Sequence, residues 1–319
     1  MFGTSVEGVV HKVTDGDTVQ VTAQNQLLKV RVLGLDTEES NPGGNKPVTE
    51  WGKEATRFTT ALLPQGSPIT VEFPGSAPFL IDGNINRSYL DNFGRPLGFL
   101  HLDTPQEGTA NFSELMIKKG FSPYFVKYGR AQFPEYDALF AAAEIEAQRA
   151  NIGVWNQKEA NGITDEAKAP RNYAQLSVWW ELRARIIDIY RDLKSRHPGA
   201  DLFNTRLDYV ELLEKAEKGD SATVFMELRE SHVVDGTHRA FRSGSQAQPF
   251  QLFLPDAARP EIVEILNLAD NRYVANGEGF PRRNYAYISG PLKMFNGLPE
   301  MVVENINQIG DMPPAPVLT

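Results

Sequence analysis

At 319 residues, with 41% hydrophobic and 10% aromatic side chains, the chain is long enough for two packed domains and too apolar for wholesale disorder. The net charge of −9 is spread evenly, −5 over residues 1–160 (14 basic, 19 acidic) and −4 over residues 161–319 (18 basic, 22 acidic). Neither half is a basic nucleic-acid footprint, so any polyanion must be held by a local cluster or a metal ion. Cysteine is absent, which excludes disulfides and zinc–thiolate sites, and no apolar run is long enough to cross a bilayer. The five histidines are scattered singly and read as surface or half-buried residues, and no charged-then-apolar leader precedes the first strand pattern.

Residues 6–14 and 17–23 alternate like two half-buried strands, joined at the turn signal Asp15-Gly16. In a third strand, 27–35, alternation puts Lys29, Arg31 and Leu33 on one face and Leu28, Val30 and Val32 on the other. Residues 40–49, rich in Gly, Pro and Asn, read as an Ω-type loop. Helical period over 50–63 lines up Trp51, Ala55, Phe58 and Leu62, with Pro64 as the stop. A strand at 69–73 follows, then a hairpin over 88–101 turning at Asp91-Asn92-Phe93-Gly94. A helix at 111–119 stops at Gly120, an Ala/Glu-rich helix spans 134–150, and Gly153-Val154-Trp155 closes the unit with Trp155 in the core.

The first unit, 1–157, is expected to be a five-stranded barrel of the OB type with interleaved helices. A connector, 158–219, follows: a linker without apolar period, a helix at 173–197, and a second helix at 201–218 ending at Gly219. In the longer helix Trp179, Trp180, Leu182, Ile186, Ile187, Tyr190 and Leu193 recur at helical spacing and read as core. Strands at 222–228, 237–242, 249–254, 284–290 and 300–304, with a helix at 259–268, predict a second OB-like barrel over 220–309 and a flexible tail over 310–319. The fold class is mainly β with α (α+β).

Chemistry concentrates in residues 15–39. Asp17 and Asp36, at adjacent strand ends, and the Thr37 carbonyl are hard oxygen donors that could form half of a calcium shell. Taken alone, Asp15-Gly16-Asp17 is also an ordinary solvated turn, and Asp36-Thr37-Glu38-Glu39 an ordinary helix start or acidic patch. Arg31 between them changes the reading, because a metal, a carboxylate base and a guanidinium are what phosphoryl transfer requires. A second guanidinium would come from Arg95, for which the competing reading is a surface ion pair with Asp91.

In order and spacing, Asp15-Gly16-Asp17-Thr18, Arg31, Asp36-Thr37, Glu39, Asp91-x-x-Gly94-Arg95, Asn111-x-x-x-Leu115-x-x-x-x-Gly120 and Gly153-Val154-Trp155 resemble the staphylococcal nuclease (thermonuclease) family over residues 6–155. The resemblance implies an OB barrel that hydrolyses DNA and RNA with calcium and leaves 3′-phosphates. It implies Asp17, Asp36 and the Thr37 carbonyl as calcium ligands, Glu39 as general base, and Arg31 and Arg95 at the scissile phosphate. Tyr124 and Tyr128 are the candidates for substrate contact. Two departures stand out: Glu38 occupies the place of the family's Pro, and Asn92-Phe93 that of its Lys-Tyr.

Residues 220–309 resemble nucleic-acid-binding OB folds less specifically. Arg282, Arg283 and Lys293 are candidate accessory contacts there, against the plainer reading of solvated arginines around core aromatics. The expected activity is a calcium-dependent nuclease acting on DNA, RNA or both, and the alternative is a nucleic-acid-binding module with its chemistry weakened or lost. Use of calcium favours a secreted or cell-envelope location.

Overall fold

Alternating apolar side chains build the first strands, β1 (Ser5–Asp15), β2 (Thr18–Ala23) and β3 (Gln26–Val32), into an antiparallel meander in which Val10 pairs with Val21 and Val21 with Leu28. The computed structural model describes residues 1–42, 47–104, 108–156, 158–159, 169–245, 248–274 and 282–318. Parts of the expected 40–49 loop and of the 158–170 linker therefore lie outside the described residues.

The chain divides into two compact units, Met1–Trp180 and Glu181–Thr319. In the first, α1 (Glu50–Leu62) separates the meander from β4 (Pro68–Glu72), and β5 (Leu80–Ile81) and β6 (Asn84–Ile85) form a small hairpin before β7 (Leu97–Thr104) and β8 (Gly108–Asn111). The strand order β3-β2-β1-β4-β7 closes on itself through a parallel β3–β7 pairing, Arg31 with Leu97 and Val32 with Gly98, and β8 extends the β7 edge. This is the expected five-stranded barrel. Val10, Val19, Val21, Leu28, Val30, Val71 and Leu100 fill its interior.

Around the barrel lie α1, capped by Thr49, α2 (Phe112–Lys118), capped by Asn111, and α3 (Pro134–Ala150), which starts on proline and ends at Asn151 in the left-handed region. Two glycines permit close approach. A Cβ on Gly16 would meet the Thr37 side chain at 2.8 Å, and one on Gly52 the Glu39 carbonyl oxygen at 2.1 Å, so α1 rests directly on the backbone of the 36–39 segment. The expected hairpin at 88–101 is half right. Residues Arg87–Tyr89 form a 3-10 turn, and only Leu90 and Pro96 pair across the Asp91–Gly94 turn.

α4 (Tyr173–Arg196) begins in the first unit and runs into the second. The second unit continues with β9 (Leu202–Asn204), α5 (Tyr209–Lys218), β10 (Ser221–Glu227), β11 (Ser231–Val234), β12 (His238–Gly244), β13 (Pro249–Leu254), α6 (Pro260–Leu268), β14 (Tyr285–Phe295), β15 (Leu298–Val302) and β16 (Ile309–Gly310). Its sheet order is β11-β12-β13-β15-β14-β10-β9. Taking β10 and β11 as halves of one broken strand reproduces the order of the first barrel. A meander leads to a parallel β13–β15 pairing, β14 returns antiparallel to β10, and a helix separates the third strand from the fourth in both units.

Several details differ from expectation. Residues 201–208 are β9 and turns rather than helix, because Asn204 and Asp208 bond locally to the backbone and compete with helical bonding. Leu182 is exposed, while Ile186, Ile187, Tyr190 and Leu193 pack with Phe225, Tyr285 and Tyr287. The tail is not free over its whole length: Ile309 and Gly310 pair with β14, and Asp311 forms ion pairs with Arg272 and Arg283.

Candidate functional site

The β1–β2 turn, the end of β3 and the segment after it converge on one guanidinium. Arg31 Nη1 pairs with Asp17 Oδ1, and Arg31 Nη2 lies 3.2 Å from Asp36 Oδ1 and donates to the Leu35 carbonyl at 3.0 Å. The other Asp17 oxygen accepts from the Thr37 amide at 2.9 Å and the Thr37 hydroxyl at 3.2 Å. The Asp36 amide donates to Ser122 Oγ at 2.9 Å, which ties this segment to the loop after α2. Asp17, Asp36 and Thr37 are all buried.

Burial opposes the charge on Arg31, but Asp17 and Asp36 outweigh it and hold the guanidinium above its ordinary range. Asp15, whose carboxylate accepts from the Asp17 amide at 3.1 Å, is pushed up to about 7 by burial and then by the charge of Asp17.

The two adjacent glutamates have separate environments. Glu39 is half-buried, and its carbonyl accepts from the Thr49 amide at the start of α1. Glu38 is 2% exposed, and its Oε1 accepts from Arg171 Nε at 2.9 Å and from the Tyr173 hydroxyl. Arg171 also reaches Asp36, with Nη1 2.7 Å from Oδ2 and Nη2 3.3 Å from the main-chain oxygen. Burial works against its charge, while Asp36, Tyr173 and Glu38 together raise it above its ordinary range. Burial likewise pushes the Tyr173 hydroxyl well up, so it remains a donor. Arg171 and Tyr173 were missed in the sequence because they sit at the expected linker–helix junction, far from residue 38. The only hint was that a carboxylate at a buried position needs a cation.

Arg95 lies beside the same site through barrel closure, since the Arg31 amide donates to the Pro96 carbonyl at 2.8 Å. Its own guanidinium pairs with Asp91, Nε to Oδ2 at 2.7 Å, and stands 5.6 Å from the Phe93 ring centroid. This is the competing ion-pair reading of Arg95. Tyr124 lies in the interior of the first unit. It is buried edge-on to Phe140, donates to Asp137 at 2.8 Å and accepts from the Ala131 amide at 2.8 Å. Tyr128 is 58% exposed, edge-on to Phe125.

In the second unit, Arg283 pairs with Asp311 at 3.4 Å and Lys293 with Glu300 at 3.2 Å, beside the Phe253 and Phe295 rings. Arg282 Nη1 is buried and has no hydrogen-bond partner among the described residues.

The donor set suits a hard cation: Asp17 and Asp36 share Arg31, and with Glu38 three carboxylates face the two arginines Arg31 and Arg171. Among the described residues no three His, Cys, Asp or Glu side chains gather as a metal cage. Two carboxylates would therefore have to be supplemented by main-chain carbonyls, water or ligand oxygens.

Residues 29–157 match the family model of the staphylococcal nuclease homologue. An uncharacterized protein of Methanocaldococcus jannaschii is 30% identical over 164 residues, which cover 47% of this chain and 71% of the relative. The thermonuclease of Staphylococcus intermedius is 29% identical over 153 residues, covering 47% of this chain and 76% of its own. Endonuclease YhcR of Bacillus subtilis is 25% identical over 158 residues, 48% of this chain but 12% of its own length.

Proposed function

We infer that the first unit hydrolyses phosphodiester bonds of nucleic acid, proceeding from the premise that the chain belongs, through that unit, to the family of staphylococcal nuclease homologues. The observation that carries the inference is the Arg31 fork shared by Asp17 and Asp36, which joins a phosphate-binding group to a cation-binding pair. Asp17, Asp36 and the Thr37 carbonyl are the residues that would hold calcium, and the bonds from Thr37 to Asp17 fix that peptide. When bound, calcium supplies positive charge at a non-bridging phosphate oxygen.

Glu39 accepts a proton from the attacking water, whose oxygen forms a bond to phosphorus as the bond to the 5′-oxygen breaks, leaving a 3′-phosphate. Arg31 stabilises charge on the phosphoryl oxygens, and Arg95, turning from Asp91, stabilises the departing oxygen, which takes a proton from solvent and leaves as the 5′-hydroxyl. Glu38, held by Arg171 and Tyr173, is not the base. The half-buried Glu39 is. The substrate is DNA, RNA or both, with Tyr128 the open aromatic candidate for stacking on it. Arg283 and Lys293 are committed to acidic partners, which favours a bracing role for the second unit over a nucleic-acid contact. A calcium requirement fits a secreted or cell-envelope location.

A second reading, a nucleic-acid-binding module with weak or lost catalysis, is supported by the Arg95–Asp91 pair, which engages one catalytic guanidinium. Digestion of single-stranded DNA and RNA with calcium and then with EDTA separates the two. Calcium-dependent cleavage leaving 3′-phosphate ends is expected. Binding without cleavage at any calcium concentration would establish the second reading.

A further inference from the structure

Both oxygens of the Asp36 carboxylate face a guanidinium: Oδ1 faces Arg31 at 3.2 Å and Oδ2 faces Arg171 at 2.7 Å. The two arginines reach it from different places in the chain. Arg31 lies on a barrel strand and is shared with Asp17. Arg171 lies beyond the barrel, just before α4, and still within the first unit.

Arg171 makes four donor contacts, from Nε to Glu38, from Nη1 to Asp36 Oδ2, and from Nη2 to the Asp36 carbonyl and the Tyr173 hydroxyl. A guanidinium has five N–H groups in a fixed fork, so Arg171 is nearly saturated by acceptors of the site. The residues that follow hold it there. The Tyr173 ring packs against Trp155 and Trp180 at 6.1 Å each, and Trp180 meets Phe125 edge-on at 4.8 Å. Lys127 Nζ lies 4.8 Å from the Trp179 ring centroid.

A divalent ion approaching Asp36 therefore meets a fixed positive charge on the same carboxylate. We propose that Arg171 is an internal cation lodged on Asp36, which competes with the divalent ion and sets its affinity from outside the barrel strands. The proposal rests on Asp36 being a cation ligand, as inferred above. Calcium binds by sharing or displacing Arg171, and anything that loosens the 171–180 segment tightens calcium binding.

The test is calcium binding by full-length protein, read by isothermal titration calorimetry and by terbium luminescence without substrate. In the double variant Arg171→Met/Glu38→Gln both members of the buried ion pair are neutralised, so no unpaired carboxylate is left behind. Its calcium affinity is expected to rise about tenfold or more, because a charge within contact distance of the ligand carboxylate is removed. Arg171→Lys keeps the charge but loses the fork that spans Asp36 and Glu38, and is expected to bind calcium several-fold tighter than wild type, which covers the case in which the double variant fails to fold. Variants that bind calcium no tighter than wild type overturn the proposal, and weaker binding would make Arg171 a positioning residue for Asp36. Asp36→Asn serves as the separate control. If it binds calcium like wild type, the assignment of the cation site itself fails, whatever Arg171 does.

Discussion

Replacing Glu72 by glutamine should show how strongly one buried carboxylate braces the first unit. Glu72 is fully buried, and its Oε1 accepts from the Phe2 amide and from the Gly3 amide at 2.7 Å. Its Oε2 lies 2.6 Å from His101 Nε2 and accepts from the Tyr136 hydroxyl at 2.6 Å. Burial raises its pKa, but the bonds from Tyr136, Gly3, Phe2 and His101 outweigh it and hold the group below its ordinary range, so it is charged at neutral pH. Glutamine keeps an acceptor for the two amides but turns an NH2 toward Tyr136 and His101. Losing charge-assisted bonds at such a site costs about 3–5 kcal/mol. For a unit of this size that is a fall in melting temperature of about 10 °C.

The pH dependence has a definite sign. Burial lowers the pKa of His101 below its ordinary value of 6.5, and Glu72 is lowered below 4.5. For both groups the unfolded chain binds protons first as the pH falls. Through these two groups stability is full above about pH 6.5, declines below it as His101 protonates in the unfolded chain, and declines again below about pH 4.5 through Glu72, whereas Asp15, raised to about 7, contributes with the opposite sign below about pH 7. Thermal melts followed by circular dichroism between about pH 3 and 8, with Asp15→Asn as the background that removes the opposing group, read both effects. A Glu72→Gln protein melting within about 2 °C of wild type at pH 7, or an Asp15→Asn background more stable at pH 5.5 than at 7.5, would refute the reasoning.

Glu39→Gln should lower turnover by about 10²–10⁴ with the melting temperature unchanged, measured by steady-state digestion with calcium; full activity would move the general base elsewhere. Arg95→Ala removes a partly exposed pair with Asp91 worth about 0–1 kcal/mol, so it should cost little stability but about a hundredfold or more in turnover. A loss of stability without a loss of rate would reduce Arg95 to a surface ion pair. Tyr124→Phe removes the hydroxyl that bridges Asp137 and Ala131, and should cost about 1–3 kcal/mol in a thermal melt while leaving KM unchanged. A raised KM at unchanged stability would restore Tyr124 as a substrate contact.

What could be read in the sequence was local or periodic. Strand alternation placed Leu28, Val30 and Val32 on one face and Lys29 and Arg31 on the other, and the first three are found buried. Turn chemistry at Asp15-Gly16 and the proline start of α3 set boundaries close to those observed. Distance in sequence set the limit. No local pattern links Glu38 to Arg171 and Tyr173, and their pairing exists only because the segment after the barrel folds back. The burial of Tyr124 was out of reach for a similar reason. Residue type and approximate spacing suited stacking, but whether the ring faces solvent depends on α3, whose Phe140 covers it and whose Asp137 takes its hydroxyl. β11 was missed because Ser231-His232-Val233-Val234 is too short to show a period.

The parallel joint between β3 and β7 also has a kinetic meaning. It unites chain segments far apart in sequence through only two residue pairs, Arg31 with Leu97 and Val32 with Gly98. Such a contact gains nothing until the loop it closes has been ordered, so it forms late in folding. Arg31 and the segment carrying Arg95 meet only there. A nascent or partly refolded chain can thus have its meander and helices in place before it has a complete site, and recovery of activity after refolding should lag behind recovery of secondary structure.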